Sequence, residues 1–258
     1  MHVRELFDLT GKVAIVTGGS RGLGFQMAEA LGEAGASLAL TARKTGELEA
    51  AAARLRDRGI RALAAACDVA RAEEVEAAVA RTLGEYGRVD VLINNAGATW
   101  GAPVLEMPLD AWHKVLETNV TGTMLVSRAV GRHMIDTGRG GKIINIASVA
   151  GLAGTDAEVL DAIGYSASKG AVIAFTRDLA VKWARHRITV NAIAPGFFPS
   201  RMTQWLIEHR GEAILSTIPM GRLGGEDDLK GAAVFLASPA SDFVTGQVLV
   251  VDGGATAR

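Results

Sequence analysis

A chain of 258 residues with 49% hydrophobic side chains can bury a large core, and α/β proteins of this size are often single domains. A net charge of −1 excludes long-range attraction to nucleic acid or an anionic membrane, and no basic stripe with interleaved aromatics appears. The one cysteine, Cys67, excludes an internal disulfide framework and suits a reducing cytosol. It lies in the apolar run Ala62–Cys67 and reads as a buried, inert thiol. Met1–Thr10 carries Arg4, Glu5 and Asp8 without the apolar core of a signal peptide, and no stretch approaches the roughly 18 apolar residues of a membrane span. A soluble cytoplasmic protein is expected. No His/Cys/Asp cluster has ligand spacing, so no catalytic metal is expected.

Lys12–Thr17 is a short β-branched apolar run, the pattern of a strand buried on both faces. Gly18-Gly19-Ser20-Arg21-Gly22-Leu23-Gly24 follows, then a helical pattern through Ala34 that stops at Gly35. Strand, glycine-rich turn and helix in this order suit a phosphate site. Glycines admit close backbone approach, and a helix start offers free N–H groups at the positive end of its dipole. Strands at Ser37–Thr41, Ile60–Cys67 and Val89–Ile93 alternate with helices at Glu47–Arg58 and Glu73–Tyr86. This alternation, without repeat or linker, predicts a parallel sheet covered on both faces.

The residues after the second strand report on the cofactor. A carboxylate there favours NAD by accepting from the ribose 2′-hydroxyl, and a basic residue suits the 2′-phosphate of NADP. The chain reads Thr41-Ala42-Arg43-Lys44, with no carboxylate until Glu47. Guanidinium groups match phosphate bidentately, so Arg43 with Arg21 favours NADP over NAD.

Asn94-Asn95-Ala96-Gly97 ends the fourth strand at the carboxyl edge, where open α/β sheets bind ligands. A helix is expected over Leu109–Met134, carrying Asn119 among apolar positions, where an amide needs a partner or a task. Lys142–Ala147 is the fifth strand and runs directly into Ser148. After a polar, acidic loop to Gly164, a helix from Tyr165 to about Trp183 is followed by a strand at Ile188–Ile193 and by Ala194-Pro195-Gly196. Phe197–Gly225 is rich in turn residues and reads as a lid. A helix at Asp227–Leu236 and a strand at Val248–Val251 complete the pattern.

Tyr165 and Lys169 stand four apart, on one helix face. A free phenol, with a pKa of about 10, is a poor proton shuttle at neutral pH, and a neighbouring ammonium favours the phenolate. The pair therefore forms a candidate acid–base unit.

Taken together, Thr17-Gly18-x3-Gly22-x-Gly24, Asp68, Asn94-Asn95-Ala96-Gly97, Asn119, Ser148, Tyr165-x3-Lys169, Asn191 and Pro195-Gly196 resemble the short-chain dehydrogenase/reductase family over essentially the whole chain. The resemblance implies a single-domain Rossmann fold: a doubly wound, mostly parallel seven-stranded sheet with helices on both faces. Residues 10–110 would be mainly dinucleotide-binding and residues 111–258 catalytic. It implies a catalytic set of Asn119, Ser148, Tyr165 and Lys169. Ser148 would hold the carbonyl oxygen and Tyr165 would exchange the proton. Lys169 would depress the Tyr165 pKa and hold the nicotinamide ribose, and Asn119 would position a water linking Lys169 to solvent. On the cofactor side the resemblance adds Gly18, Ser20, Arg21, Gly22, Leu23, Gly24, Arg43, Asp68, Val69, Asn95, Ala96, Gly97, Pro195, Gly196, Phe198 and Ser200, together with Tyr165 and Lys169.

Ser148 and Tyr165 are 17 positions apart, a wider gap than the family usually has, with the extra residues inside Gly154–Ile163 on the substrate side. Asn95–Gly101, Ala194–Thr203 and the Ser148–Gly164 insertion resemble gluconate 5-dehydrogenase-type members, and 3-oxoacyl-thioester reductases share much of the pattern. The implied substrate is a small sugar acid or keto acid, with an acyl thioester as the alternative. Arg201, His209 and Arg210 are candidates to meet a substrate carboxylate, and Trp100 and Trp205 to wall the pocket. A catalytically silent NADP-binding regulator is disfavoured by the intact Asn119, Ser148, Tyr165 and Lys169. The family usually forms tetramers, and a homotetramer built on the Tyr165 helix and Phe243–Val251 is expected.

Overall fold

The computed structural model describes residues 2–257; the two ends of the expected domain, Met1 and Arg258, lie outside the described residues. Seven strands make one sheet: β1 (Val13–Thr17), β2 (Ser37–Ala42), β3 (Ala62–Ala66), β4 (Val91–Asn94), β5 (Gly141–Ile146), β6 (Ile188–Pro195) and β7 (Val248–Val251). Their order is β3-β2-β1-β4-β5-β6-β7. All the pairings are parallel, so the sheet is parallel throughout rather than mostly so. Parallel neighbours require crossovers, and helices supply them. These are α1 (Gly22–Glu33), α2 (Thr45–Arg56), α3 (Ala72–Tyr86), α4 (Leu109–Leu116), α5 (Gly122–Asp136), α6 (Ile163–Trp183), α7 (Gln204–Ser216) and α8 (Lys230–Ala237).

β1 lies between β2 and β4 inside the sheet, and all of its residues are buried. Successive side chains on a strand point to opposite faces, so each β1 neighbour feeds a different core. Ala14 and Val16 join Leu31, Leu48 and Leu236 on the side of α1, α2 and α8. Ile15 joins Val79, Val130 and Leu179 on the side of α3, α5 and α6. Strand order reverses at β1, where β2 and β3 lie to one side and β4 to the other. The loops leaving β1 and β4 part at this switch point and open a cleft at the carboxyl ends.

Three local features differ from the sequence pattern. The helix expected over Leu109–Met134 is divided by a π-type turn at Glu117–Thr121, which joins α4 to α5 and contains buried Asn119. The excursion after β6 contains a helix, α7, of which only Ile214 is buried. With no apolar stripe, and with Arg210 non-helical at φ −135°, α7 leaves no periodic trace. α8 starts at Lys230 instead of Asp227, because the Asp228 carboxylate accepts from the Gly225 N–H (2.6 Å) and pairs with Arg222 in the preceding turn.

The insertion expected on the substrate side is a tethered strap. Its residue Ala162 bridges in parallel to Ala102, with the Ala102 N–H donating to Asp161 O (3.0 Å). Val159 packs against Ile214 and Ile218, and the Arg210 guanidinium donates to Ala157 O. No described helix is long and apolar enough to cross a membrane.

Candidate active site

The glycine loop is sewn to the end of β4. Thr17 Oγ1 accepts from the N–H groups of Asn95 (2.9 Å) and Ala96 (3.0 Å), and Asn95 Nδ2 donates back to Thr17 O (3.0 Å) and Gly18 O (3.2 Å). A Cβ on Gly18 would come within 2.8 Å of Asn95 Nδ2, and one on Gly24 would overlap both that atom and Gly18 O. Gly22 lies opposite Ser200 at φ +54°, a left-handed conformation that favours glycine. No side chain caps the start of α1. The N–H groups of its first turn are therefore available to an anion.

One cleft of about 500 Å³ receives every expected cofactor residue, from Gly18, Ser20, Arg21, Gly22, Leu23 and Gly24 through Arg43, Asp68, Val69, Asn95, Ala96 and Gly97 to Pro195, Gly196, Phe198 and Ser200. Ser148, Tyr165 and Lys169 line the same cleft. Asn119 does not; it is 1% exposed, behind the wall. Thr99, Thr118, Met202 and Thr203, which no sequence motif marks as site residues, also line the cleft. Thr203 Oγ1 donates to Phe198 O (2.6 Å) and accepts from the Ser200 N–H (2.9 Å), shaping the segment after β6.

The outer end is charged. Glu47, in the first turn of α2, is met by Arg21, by Lys44 Nζ at 3.1 Å and by Arg201 at 3.7 Å. Arg201 lines the cleft and meets Glu47 at its outer end. Arg43 lines this end and, among the described residues, makes no ion pair. His209 stacks on Trp205 with ring centroids 4.5 Å apart, and Arg210 holds the strap. Trp100 and Trp205 are about half exposed and neither lines the cleft. Trp112 instead packs against Gly164, where a Cβ would lie 3.2 Å from its ring.

The inner end is buried. Ser148 follows β5 after Ala147; its hydroxyl accepts from the Ala150 N–H (3.2 Å) and lies beside the Tyr165 phenol. Lys169, 5% exposed, donates from Nζ to Ile146 O (2.6 Å) and lies 5.5 Å from the Tyr165 ring centroid. Burial pushes the Tyr165 pKa up, with the Ser148 hydroxyl opposing it, and burial lowers Lys169 to about 8. Burial thus moves the Tyr165 phenol opposite to the expected direction.

Asn119 is held from two sides. Its Nδ2 donates to Ala98 O (2.9 Å) and Ser168 Oγ (2.8 Å), and its Oδ1 accepts from the Ala98 N–H (2.7 Å). With both amide N–H bonds committed, the side chain clamps the loop after β4 to α6. Ser168 bonds locally, donating to Tyr165 O (2.7 Å), which leaves Ser148 as the serine of the site. Cys67 is buried, its thiol pushed up to about 11, and is inert as expected. Among the described residues no group of three His, Cys, Asp or Glu side chains could hold a metal ion.

Fold and site together define an oxidoreductase of the Rossmann type. The short chain dehydrogenase family profile matches residues 12–211. The 5-keto-D-gluconate 5-reductase of Escherichia coli K12 is 42% identical over 98% of both chains, and a 3-oxoacyl-[acyl-carrier-protein] reductase of Synechocystis is 40% identical over 95% of this chain and 97% of its own. A crystal structure of a gluconate 5-dehydrogenase from Burkholderia cenocepacia, in complex with NADP and tartrate, superposes with a TM-score of 0.94 at 40% identity, covering 100% of each chain. The chain belongs to the short-chain dehydrogenase family.

Proposed function

We propose that this protein is an NADP(H)-dependent oxidoreductase that interconverts a carbonyl and a secondary alcohol on a sugar acid or keto acid, in the manner of a gluconate 5-dehydrogenase. The observation that carries the proposal is Ser148, Tyr165 and Lys169 gathered at the buried end of a glycine-floored cleft whose open end is basic. The residues fit a dinucleotide phosphate. Gly18 and Gly24 leave no room for side chains where backbone must approach, α1 starts uncapped, and Arg21 and Arg43 stand where a 2′-phosphate needs cations. When bound, NADP supplies the hydride chemistry.

The protein supplies geometry and the proton. Burial keeps Tyr165 a neutral phenol at pH 7, so its proton is available to a carbonyl oxygen. Ser148 stabilises the negative charge that develops on that oxygen. Lys169, fixed by Ile146 O and still largely charged at pH 7, stabilises the phenolate that remains. Asn119 positions α6, and with it Tyr165, against the loop after β4.

The sugar-acid reading draws on relatives named for 5-keto-gluconate and on a structural neighbour holding tartrate, a hydroxy acid. Residues 10–110 act as the dinucleotide half, residues 111–258 as the catalytic half, and residues 197–225 as the lid. A cytoplasmic homotetramer completes the proposal. Phe243 is fully exposed, Val181 on α6 is 80% exposed, and Leu249 and Val250 on β7 are each more than a third exposed, which is apolar surface suited to burial between copies.

The test is a nicotinamide-absorbance assay of NADPH and NADH against 5-ketogluconate and an acetoacetyl thioester. Turnover of 5-ketogluconate with NADPH preferred is the expected result. Turnover of the thioester alone moves the function to acyl-chain reduction with the same residues, the reading supported by the 40% identical Synechocystis reductase.

A further inference from the structure

Glu47 gathers cations from three separate parts of the chain: Arg21 from the glycine loop, Lys44 from the residue before α2, and Arg201 from the segment after β6. The hydrogen bond from Lys44, with Arg21 and Arg201 adding attraction, holds its carboxyl below the usual carboxylate range, so the group is ionised at neutral pH. Its place in the first turn of α2 also suits a negative charge. A carboxylate thus holds the guanidinium groups that a phosphate would use, since both anions offer acceptor oxygens to the same fork of donors.

We propose that Glu47 is a specificity-determining residue that competes with the 2′-phosphate of NADP for Arg21 and Arg201, and thereby lowers the preference for NADP over NAD. The inference rests on the NADP reading above. A ribose with a free 2′-hydroxyl leaves the ion pairs intact and can donate to the same carboxylate. A 2′-phosphate brings between one and two negative charges beside Glu47, by analogy with about −1.5 to −2 on a phosphorylated side chain, and must draw Arg21 away from it. Arg43, without an ion-pair partner among the described residues, is free to bind phosphate in either case. The cleft therefore carries one cation ready for NADP and two that NADP must win.

Isothermal titration at low salt of wild type and Glu47→Gln, with NADPH, NADH, adenosine 2′,5′-bisphosphate and 5′-AMP, tests this. Removing one carboxylate next to an incoming phosphate is expected to tighten NADPH and the bisphosphate about fivefold, while NADH and 5′-AMP bind equally or more weakly. Unchanged or weaker NADPH binding overturns the inference, because Glu47 then only orients Arg21 or plays no part. Arg43→Ala separates this failure from that of the NADP reading. If it weakens NADPH about tenfold and NADH little, a neutral Glu47→Gln overturns only the competition. If it weakens both cofactors equally, the 2′-phosphate assignment falls and the role of Glu47 falls with it.

Discussion

The two ends of the cleft use similar side chains under opposite conditions. At the inner end Lys169 is 5% exposed, and burial alone moves its pKa from the usual lysine range to about 8. At the outer end Arg21, Lys44 and Arg201 have side chains roughly half exposed or more, and Glu47 is 35% exposed. Water and salt screen those charges, so each contributes modestly and they act by number. Buried charge does chemistry because its protonation can be tuned. Exposed charge recognises a ligand because several contacts accumulate without any one being costly to form.

The largest effect that sharpens this contrast is Tyr165→Phe. Removing the proton donor should lower kcat by about 10³-fold, within the 10²–10⁴ typical of general acids, and leave NADPH affinity within about twofold. Stopped-flow turnover and a fluorescence titration check it, and an unchanged kcat would remove Tyr165 from the mechanism.

A smaller effect is thermodynamic. An unfolded lysine titrates near 10.4, whereas burial in the folded protein lowers Lys169 to about 8. Between these values the unfolded state binds more protons, so folding stability rises with pH. Below pH 8 the full cost of burying the ammonium remains. Lys169→Met should therefore gain stability relative to wild type at pH 7, and that gain should shrink by roughly 2 kcal/mol by pH 10. Urea melts at both pH values measure the difference, and a pH-independent gap would show that Lys169 titrates normally.

The smallest effect breaks the two ends apart. Raising salt from about 50 to about 500 mM should weaken NADPH several-fold while changing kcat at saturation less than about twofold. Equal sensitivity of both would mean that the outer cations also steer the chemical step.

The sheet was legible because strands buried on both faces read as unbroken apolar runs. Val13–Thr17, buried throughout, falls where the sequence puts it apart from Lys12 at its start, and the more exposed edge strand Val248–Val251 keeps the same apolar signature. The cleft lining was legible because glycines, the Asn94–Gly97 turn and Tyr165–Lys169 carry local spacing. What escaped depends on tertiary placement. α7 buries one residue, Ile214, so no pattern marks it. Arg201 and Glu47 meet only because the segment after β6 folds toward α2. The direction of the Tyr165 shift depends on how deeply the phenol is desolvated, which spacing does not encode.

The π-type turn at Glu117–Thr121 gives the long helical arm an angular offset. It accommodates one residue more than regular α geometry uses, so the two halves of the arm are set on different azimuths. The same residues wound as a regular α-helix would be turned by about 100° around the axis beyond Thr121. Val126, Val130 and Met134, all buried against the sheet, would then swing out of their seats. The wider turn takes up the extra residue and so works as a phase shifter, keeping the core behind the active site in register.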